Sequence, residues 1–152
     1  MTEPTTWQAC DPDFESRVRA AFAAQPLMAF IGAALTGVAP GVCTIALPFR
    51  PELVQQNGFF HGGIVGTLAD NAGGFASYTL MPADAGVLTV EYKLNLMAPA
   101  QGDMLVAEGQ VVRAGRNLVV SRADVFVRGE KGRIHCATMQ QTLMTMHGKG
   151  VA

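Results

Sequence analysis

The sequence predicts an α+β domain in which an antiparallel sheet packs on one long helix. Three observations carry this. The stretch from His61 to Met81, HGGIVGTLADNAGGFASYTLM, repeats its apolar residues at helical spacing. Strand-like segments follow at about 86–97, 103–114, 117–128 and 132–146, separated by Gly102-Asp103, Gly115 and the run from Gly129 to Gly132. No GxGxxG, P-loop or alternating βαβ pattern is present, so a parallel doubly wound sheet is excluded. One helix followed by a four-strand meander calls for a sheet laid against that helix.

The remaining elements read in order. Residues 1–12 are polar, contain Pro4 and Pro12, and read as a flexible arm before a single domain over 13–147. From Asp13 a helix is expected. Asp13 is a capping residue type, and Phe14, Val18, Ala21 and Phe22 share one face. Pro26 should end or bend that helix. The apolar stretch Leu27 to Leu35 fits either helix or strand. Gly41 to Phe49 reads as a strand bounded by Pro40 and Pro51, and 50–60 as a loop.

Composition narrows the function. Only 15% of residues are charged, against about 25% in a typical globular domain. That deficit points to surface buried against another chain. A net charge of −1 argues against nucleic acid. No run of about 18 strongly apolar residues suggests a membrane span. The start, MTEPTTWQAC, lacks the basic and apolar regions of a signal peptide. Cys10, Cys43 and Cys136 are too scattered for a disulfide framework or a zinc site. A cytoplasmic protein with no metal or redox cofactor is expected.

The helix over 61–81 carries the functional signal. At 100° per residue, Ile64, Val65, Leu68, Ala72, Phe75, Ala76 and Thr79 form the sheet-packing face. The opposite face holds Gly63, Gly66, Thr67, Asp70, Gly73, Gly74 and Ser77, where a solvated helix would carry Lys and Glu. Each interior glycine costs about 1 kcal/mol relative to alanine. Gly66, Gly73 and Gly74 therefore imply close approach by another backbone or a ligand. Asp70 is the only charged residue between Glu52 and Asp84. On a covered face its carboxylate would be desolvated, which raises its pKa and makes it a better base. A plain solvated aspartate is the competing reading. His61-Gly62-Gly63 opens the helix, where unpaired N–H groups and the macrodipole favour an anion. It is either an oxyanion hole or a loop-to-helix junction.

The string QQNGFFHGGIVGTLADNAGGFASY, followed by TVEYKLNLMAPA, resembles the PaaI-like hotdog-fold acyl-CoA thioesterases over roughly residues 41–146. Gly58, His61, Gly62, Gly63, Asp70, Thr89, Glu91, Pro99 and Ala100 match that family's pattern. The resemblance implies one long helix wrapped by an antiparallel sheet. It further implies a dimer with a continuous sheet, often assembled into tetramers, with the glycine end of one helix facing the partner's aspartate. Carried over by position, the Gly62 N–H donates to the thioester carbonyl oxygen. Asp70 acts as general base or nucleophile, and Thr89 places the water or the carboxylate. Gln55 stands where the family has Asn, one methylene longer but still able to donate. His61 orients Gln55 or the loop, or caps the helix. Gly63 and Asn71 fall among the substrate contacts, and Ser77 either lines the pocket or packs.

Arg113 and Arg116, beside the turn at 114–117, are the candidates for the CoA phosphates. Phe59, Phe60, Phe75, Tyr78 and Met81 either line an acyl pocket or fill the core. Two other functions fit the same fold. One is a non-catalytic acyl-CoA-binding or sensing protein, and the other an acyl-CoA hydratase or dehydratase.

Overall fold

The computed structural model describes residues 6–150. Its elements are α1 (Phe14–Ala23), α2 (Pro26–Ile31), β1 (Ala34–Ala39), β2 (Val42–Pro48), a 3-10 turn (Pro51–Leu53), α3 (Gly62–Tyr78), β3 (Gly86–Leu96), β4 (Met104–Ala114), β5 (Leu118–Gly129) and β6 (Gly132–Met146). All six strands form one antiparallel sheet in the order β1-β2-β4-β5-β6-β3. The sheet curls around α3, which packs against β2, β3, β4, β5 and β6. This is the hotdog fold that the motif resemblance implied. Among the described residues no helix is long and apolar enough to cross a membrane.

Strand alternation builds the core. Val119, Ala123, Val125 and Val127 of β5 are buried, as are Ala137, Met139 and Leu143 of β6. Against them lie Val65, Leu68, Ala69, Ala72, Phe75 and Ala76 of α3. The helix can settle deeply because β4 carries Gly109 at the crossing. A Cβ there would stand 2.2 Å from the Ala72 carbonyl oxygen.

The far end of α3 is tied down by α1. Arg17 Nε donates to Asp11 at 2.8 Å, and its Nη2 donates to the carbonyls of Tyr78 and Met81 at 3.2 and 2.9 Å. The Met81 carbonyl gains a partner here, and the Tyr78 carbonyl, which also accepts from the Met81 N–H, gains a second. The guanidinium also lies 4.2 Å from the centre of the Tyr78 ring.

Several sequence expectations need correction. β3 pairs with β6 along its whole length, from Gly86↔Met146 to Leu96↔Ala137, and not with β4. A meander and this crossover share the same alternation, so pattern alone does not choose between them. The stretch Leu27 to Leu35 divides: Pro26 opens α2, Gly32 at φ +81° closes it, and β1 begins at Ala34. The central helix ends at Tyr78 rather than Met81, because Leu80 N–H and Met81 N–H bond three residues back in a tightening turn before Pro82. Asp13 stands at the N-cap of α1 without a side-chain cap bond; Asp11 instead accepts from the Asp13 N–H at 2.9 Å. Of the segment expected as an arm, residues 1–5 lie outside the described residues. In the rest, Trp7 packs on the core beside Gly41, and Asp11 is buried.

The small face of the helix also differs. Gly66, Gly73, Gly74 and Ser77 are covered by the chain's own sheet, which wraps further round than a one-sided packing implies. Gly73 faces Gln141 and Ser121, Gly74 faces Leu143, and Gly66 faces Leu94. What reaches the surface is a narrower stripe of Gly63, Thr67, Asp70 and Asn71, two turns of one helix edge.

Candidate active site

Asp70 lies midway along α3 and is half-buried. Thr89 Oγ1, on β3, donates to its Oδ1 at 2.8 Å. Thr89 sits where the β3–β6 register breaks, between Thr89 and Glu91, and such irregularities re-aim side chains. Burial pushes the Asp70 pKa up, and the Thr89 hydrogen bond draws it partly back. The carboxylate borders a cavity of about 310 Å³ walled by Gln25, Phe75, Val87, Leu88 and Leu143 together with Asn71 and Gly74. Among the described residues no other ionisable group lines it. A partly desolvated carboxylate beside an open cavity of mixed polar and apolar lining is arranged to take a proton or to attack an electrophilic carbon.

The start of α3 is the second half of the arrangement. His61 is the N-cap, in extended conformation, and its Nδ1 accepts from the Gly63 N–H at 2.9 Å. The N–H groups of Ile64 and Val65 bond to the His61 carbonyl at 2.9 and 3.1 Å. The Gly62 N–H has no acceptor among the described residues. It borders a cavity of about 350 Å³ shared with Gln55, Phe59, Leu96 and Pro99. Gln55 is set by a tight turn: the Gly58 N–H bonds to the Gln55 carbonyl, and the Gln55 N–H to the Phe59 carbonyl, both at 2.9 Å. Gly58 closes this turn at φ +81°, a conformation that favours glycine. Gln55 Oε1 accepts from the Asn57 N–H. Its Nε2 makes no hydrogen bond among the described residues.

One chain does not bring these halves together. Gly62 and Asp70 are eight residues apart on one helix, about 12 Å at 1.5 Å per residue, and they line different cavities. Asn71 lies beside Asp70. Its Nδ2 donates to the Thr67 carbonyl at 3.1 Å, and its buried Oδ1 has no partner. Arg113 and Arg116 are exposed at the β4–β5 turn, line neither cavity and make no ion pair among the described residues. Tyr78 and Met81 are buried in the core, whereas Phe59 and Phe75 each border a cavity. Among the described residues no three His, Cys, Asp or Glu side chains gather as a metal site would require.

Sequence reasoning missed Gln141. Its Nε2 lies 3.2 Å from the Asp70 carbonyl oxygen and 3.4 Å from Oδ1. The signal was present: a glutamine at an inward strand position between Met139 and Leu143 breaks the apolar alternation of β6.

A half-buried carboxylate and an open helix start thus lie on the central helix of a hotdog fold. The pattern of the thioesterase superfamily matches residues 57–133, which include the helix start, Asp70 and Thr89. A thioesterase family protein from Silicibacter pomeroyi has the same fold at TM-score 0.88, with 40% identity over 89% of this chain and 99% of that one. A putative esterase of Halobacterium salinarum is 33% identical, covering 65% of this chain and 68% of its own. Human acyl-coenzyme A thioesterase 13 is 28% identical, covering 60% and 65%. The chain belongs to the thioesterase superfamily, as its motif resemblance implied.

Proposed function

We propose that the protein hydrolyses an acyl-CoA thioester to the free acid and CoA, with each active site shared between two subunits. The observation that carries this reading is Asp70: a partly desolvated carboxylate bonded by Thr89 and facing an open cavity. The Gly62 N–H and the Gln55 amide of one subunit stand opposite the Asp70 of the other and bind the thioester oxygen. The exposed edge strand supports the pairing. β3 ends the sheet and leaves Leu88, Tyr92 and Leu96 each more than half exposed, a display that pairing with a second β3 would cover.

Two routes balance. As a base, Asp70 takes a proton from water while the water oxygen bonds to the acyl carbon. The tetrahedral oxyanion is held by Gly62 and Gln55, the C–S bond breaks, and the proton passes to the departing thiolate. As a nucleophile, the carboxylate bonds to the acyl carbon and expels the thiolate. Water then hydrolyses the resulting anhydride. Arg113 and Arg116, without carboxylate partners among the described residues, are available for the CoA phosphates.

The test is thiol release from a panel of acyl-CoAs, aromatic and straight-chain, by wild type and Asp70→Asn. Release that depends on Asp70 supports the reading. No release across the panel, with acyl-CoAs still raising the melting temperature, would replace it with a binding or sensing role.

A further inference from the structure

Two buried polar side chains stand behind Asp70 with no place in the mechanism above. Gln141 of β6 is 1% exposed and Ser121 of β5 is 0% exposed. They are register partners on adjacent strands, both pointing at α3. Their inward neighbours are apolar: Val119 and Ala123 on one strand, Met139 and Leu143 on the other. A buried amide is unfavourable unless it is bonded, and Met or Leu would fill the same space. Packing therefore does not explain a glutamine there.

Its bonds do. The Asp70 carbonyl oxygen and Oδ1 are both acceptors, so the amide nitrogen must be the atom that faces them, at 3.2 and 3.4 Å. The amide oxygen is then turned toward Gly73. Ser121 Oγ is there too: a Cβ on Gly73 would lie 2.8 Å from both oxygens. Gln141 Oε1 is a buried acceptor without a donor, and Ser121 Oγ a buried donor without an acceptor. The missing Cβ of Gly73 leaves room for both, and no hydrogen bond joins them.

We propose that Gln141 is a positioning residue for Asp70, given room by the missing Cβ of Gly73, and that it turns Oδ2 toward the substrate. Thr89 from β3 and Gln141 from β6 both approach Oδ1. The second torsion of an aspartate is otherwise broad. Pinning one oxygen from two neighbouring strands leaves the other free to react. The role given to Gln141 rests on Asp70 being the catalytic carboxylate.

The experiment measures kcat and KM against pH for the intact oligomer, using the acyl-CoA hydrolysed fastest. Gln141→Met keeps the volume and removes the donor. Its kcat should fall on the order of tenfold, the worth of one hydrogen bond to a charged group, with KM nearly unchanged. The acidic limb of the profile should move to higher pH, because the ionised carboxylate has lost a donor. Gln141→Glu keeps the shape and sets a second carboxyl beside the first, so its limb should move further in the same direction. Among the described residues no other titratable side chain lines the Asp70 cavity to confuse the assignment. A folded Gln141→Met with wild-type kcat and an unmoved limb overturns the proposal. If that variant does not fold, an unmoved limb in Gln141→Glu overturns it instead. Asp70→Asn runs alongside. Wild-type turnover in it removes the Asp70 reading and the Gln141 role together. An inactive Asp70→Asn beside wild-type-like Gln141 variants removes the Gln141 role alone.

Discussion

The contact between Gly109 and the central helix is the tightest test of how the fold sets the site. Gly109→Ala would place a Cβ 2.2 Å from the Ala72 carbonyl oxygen and 2.6 Å from the Gly73 nitrogen. Both are backbone atoms, so no rotamer change relieves the clash. Ordinary contact needs about 3.5 Å, which requires α3 and β4 to separate by about 1 Å. Overpacking of this kind costs about 1–3 kcal/mol, and a backbone-on-backbone clash belongs at the top of that range. At about 2–4 °C per kcal/mol for a domain of this size, the melting temperature should fall by roughly 6–12 °C. Asp70 precedes Ala72 by half a turn, so the same displacement should loosen the Thr89–Asp70 bond and lower kcat more than it raises KM. Gly66→Ala is the control. Its Cβ would meet only Leu94 Cδ2 at 3.1 Å, the tip of a half-buried side chain on the edge strand. Helix propensity gains about 1 kcal/mol there, so stability should hold or rise. The assay is thermal melting followed by steady-state kinetics. Gly109→Ala melting within about 2 °C of wild type, or Gly66→Ala falling as far as Gly109→Ala, would refute the steric account.

Asp70 should also show the tension between function and stability. Its pKa is raised in the fold by burial, so the folded chain holds the proton more tightly than the unfolded chain does. The associated stability is complete below the unfolded value of 3.8 and is lost as pH rises through the folded value. Asp70→Asn, which stays neutral and keeps an oxygen for Thr89, should therefore melt at or above wild type at neutral pH. The gap should close in acid, and melting below wild type at pH 7 would count against desolvation as the dominant effect. Thiol labelling checks the packing independently. Cys43 is pushed up to about 12 by burial and Cys136 is also raised, whereas Cys10 is exposed. Native protein should react through Cys10 alone and unfolded protein through all three cysteines; rapid labelling of Cys43 in native protein would contradict the core described.

Much of this was legible in the sequence, for identifiable reasons. The central helix announced itself through the spacing of Val65, Leu68, Ala72 and Phe75, and the four later strands through alternation between glycine turns. Asp70 stood out because no other charge lies near it in the chain. Strand order was not legible, because β3 presents the same alternation to β4 or β6 and the choice is made by a crossover that leaves no local mark. Nor was the fate of the small helix face. Gly73 and Gly74 both read as room for another backbone or a ligand, yet the neighbours are Gln141, Ser121 and Leu143, supplied by a sheet that curls through more than one face. Gln141 was missed because a polar residue inside a strand gains meaning only when its register places it behind a carboxylate.

The separation of Gly62 from Asp70 makes the shared site testable without a structure of the assembly. Two elements about 12 Å apart on one rigid helix cannot act on one thioester carbon. Paired antiparallel helices would instead place the Gly62 and Gln55 end of each against the Asp70 of the other. Consider Asp70→Asn and Gln55→Ala, each impaired alone. In a mixed dimer of the two, one site combines both lesions and the other contains neither. Random exchange of equal amounts makes about half the dimers mixed, so about a quarter of all sites are intact. Mixing the variants under conditions that let subunits exchange should thus raise activity to about a quarter of wild type. If instead each site lay within a single chain, every site would carry one lesion whatever its partner. The mixture would then show only the average of the two impaired variants.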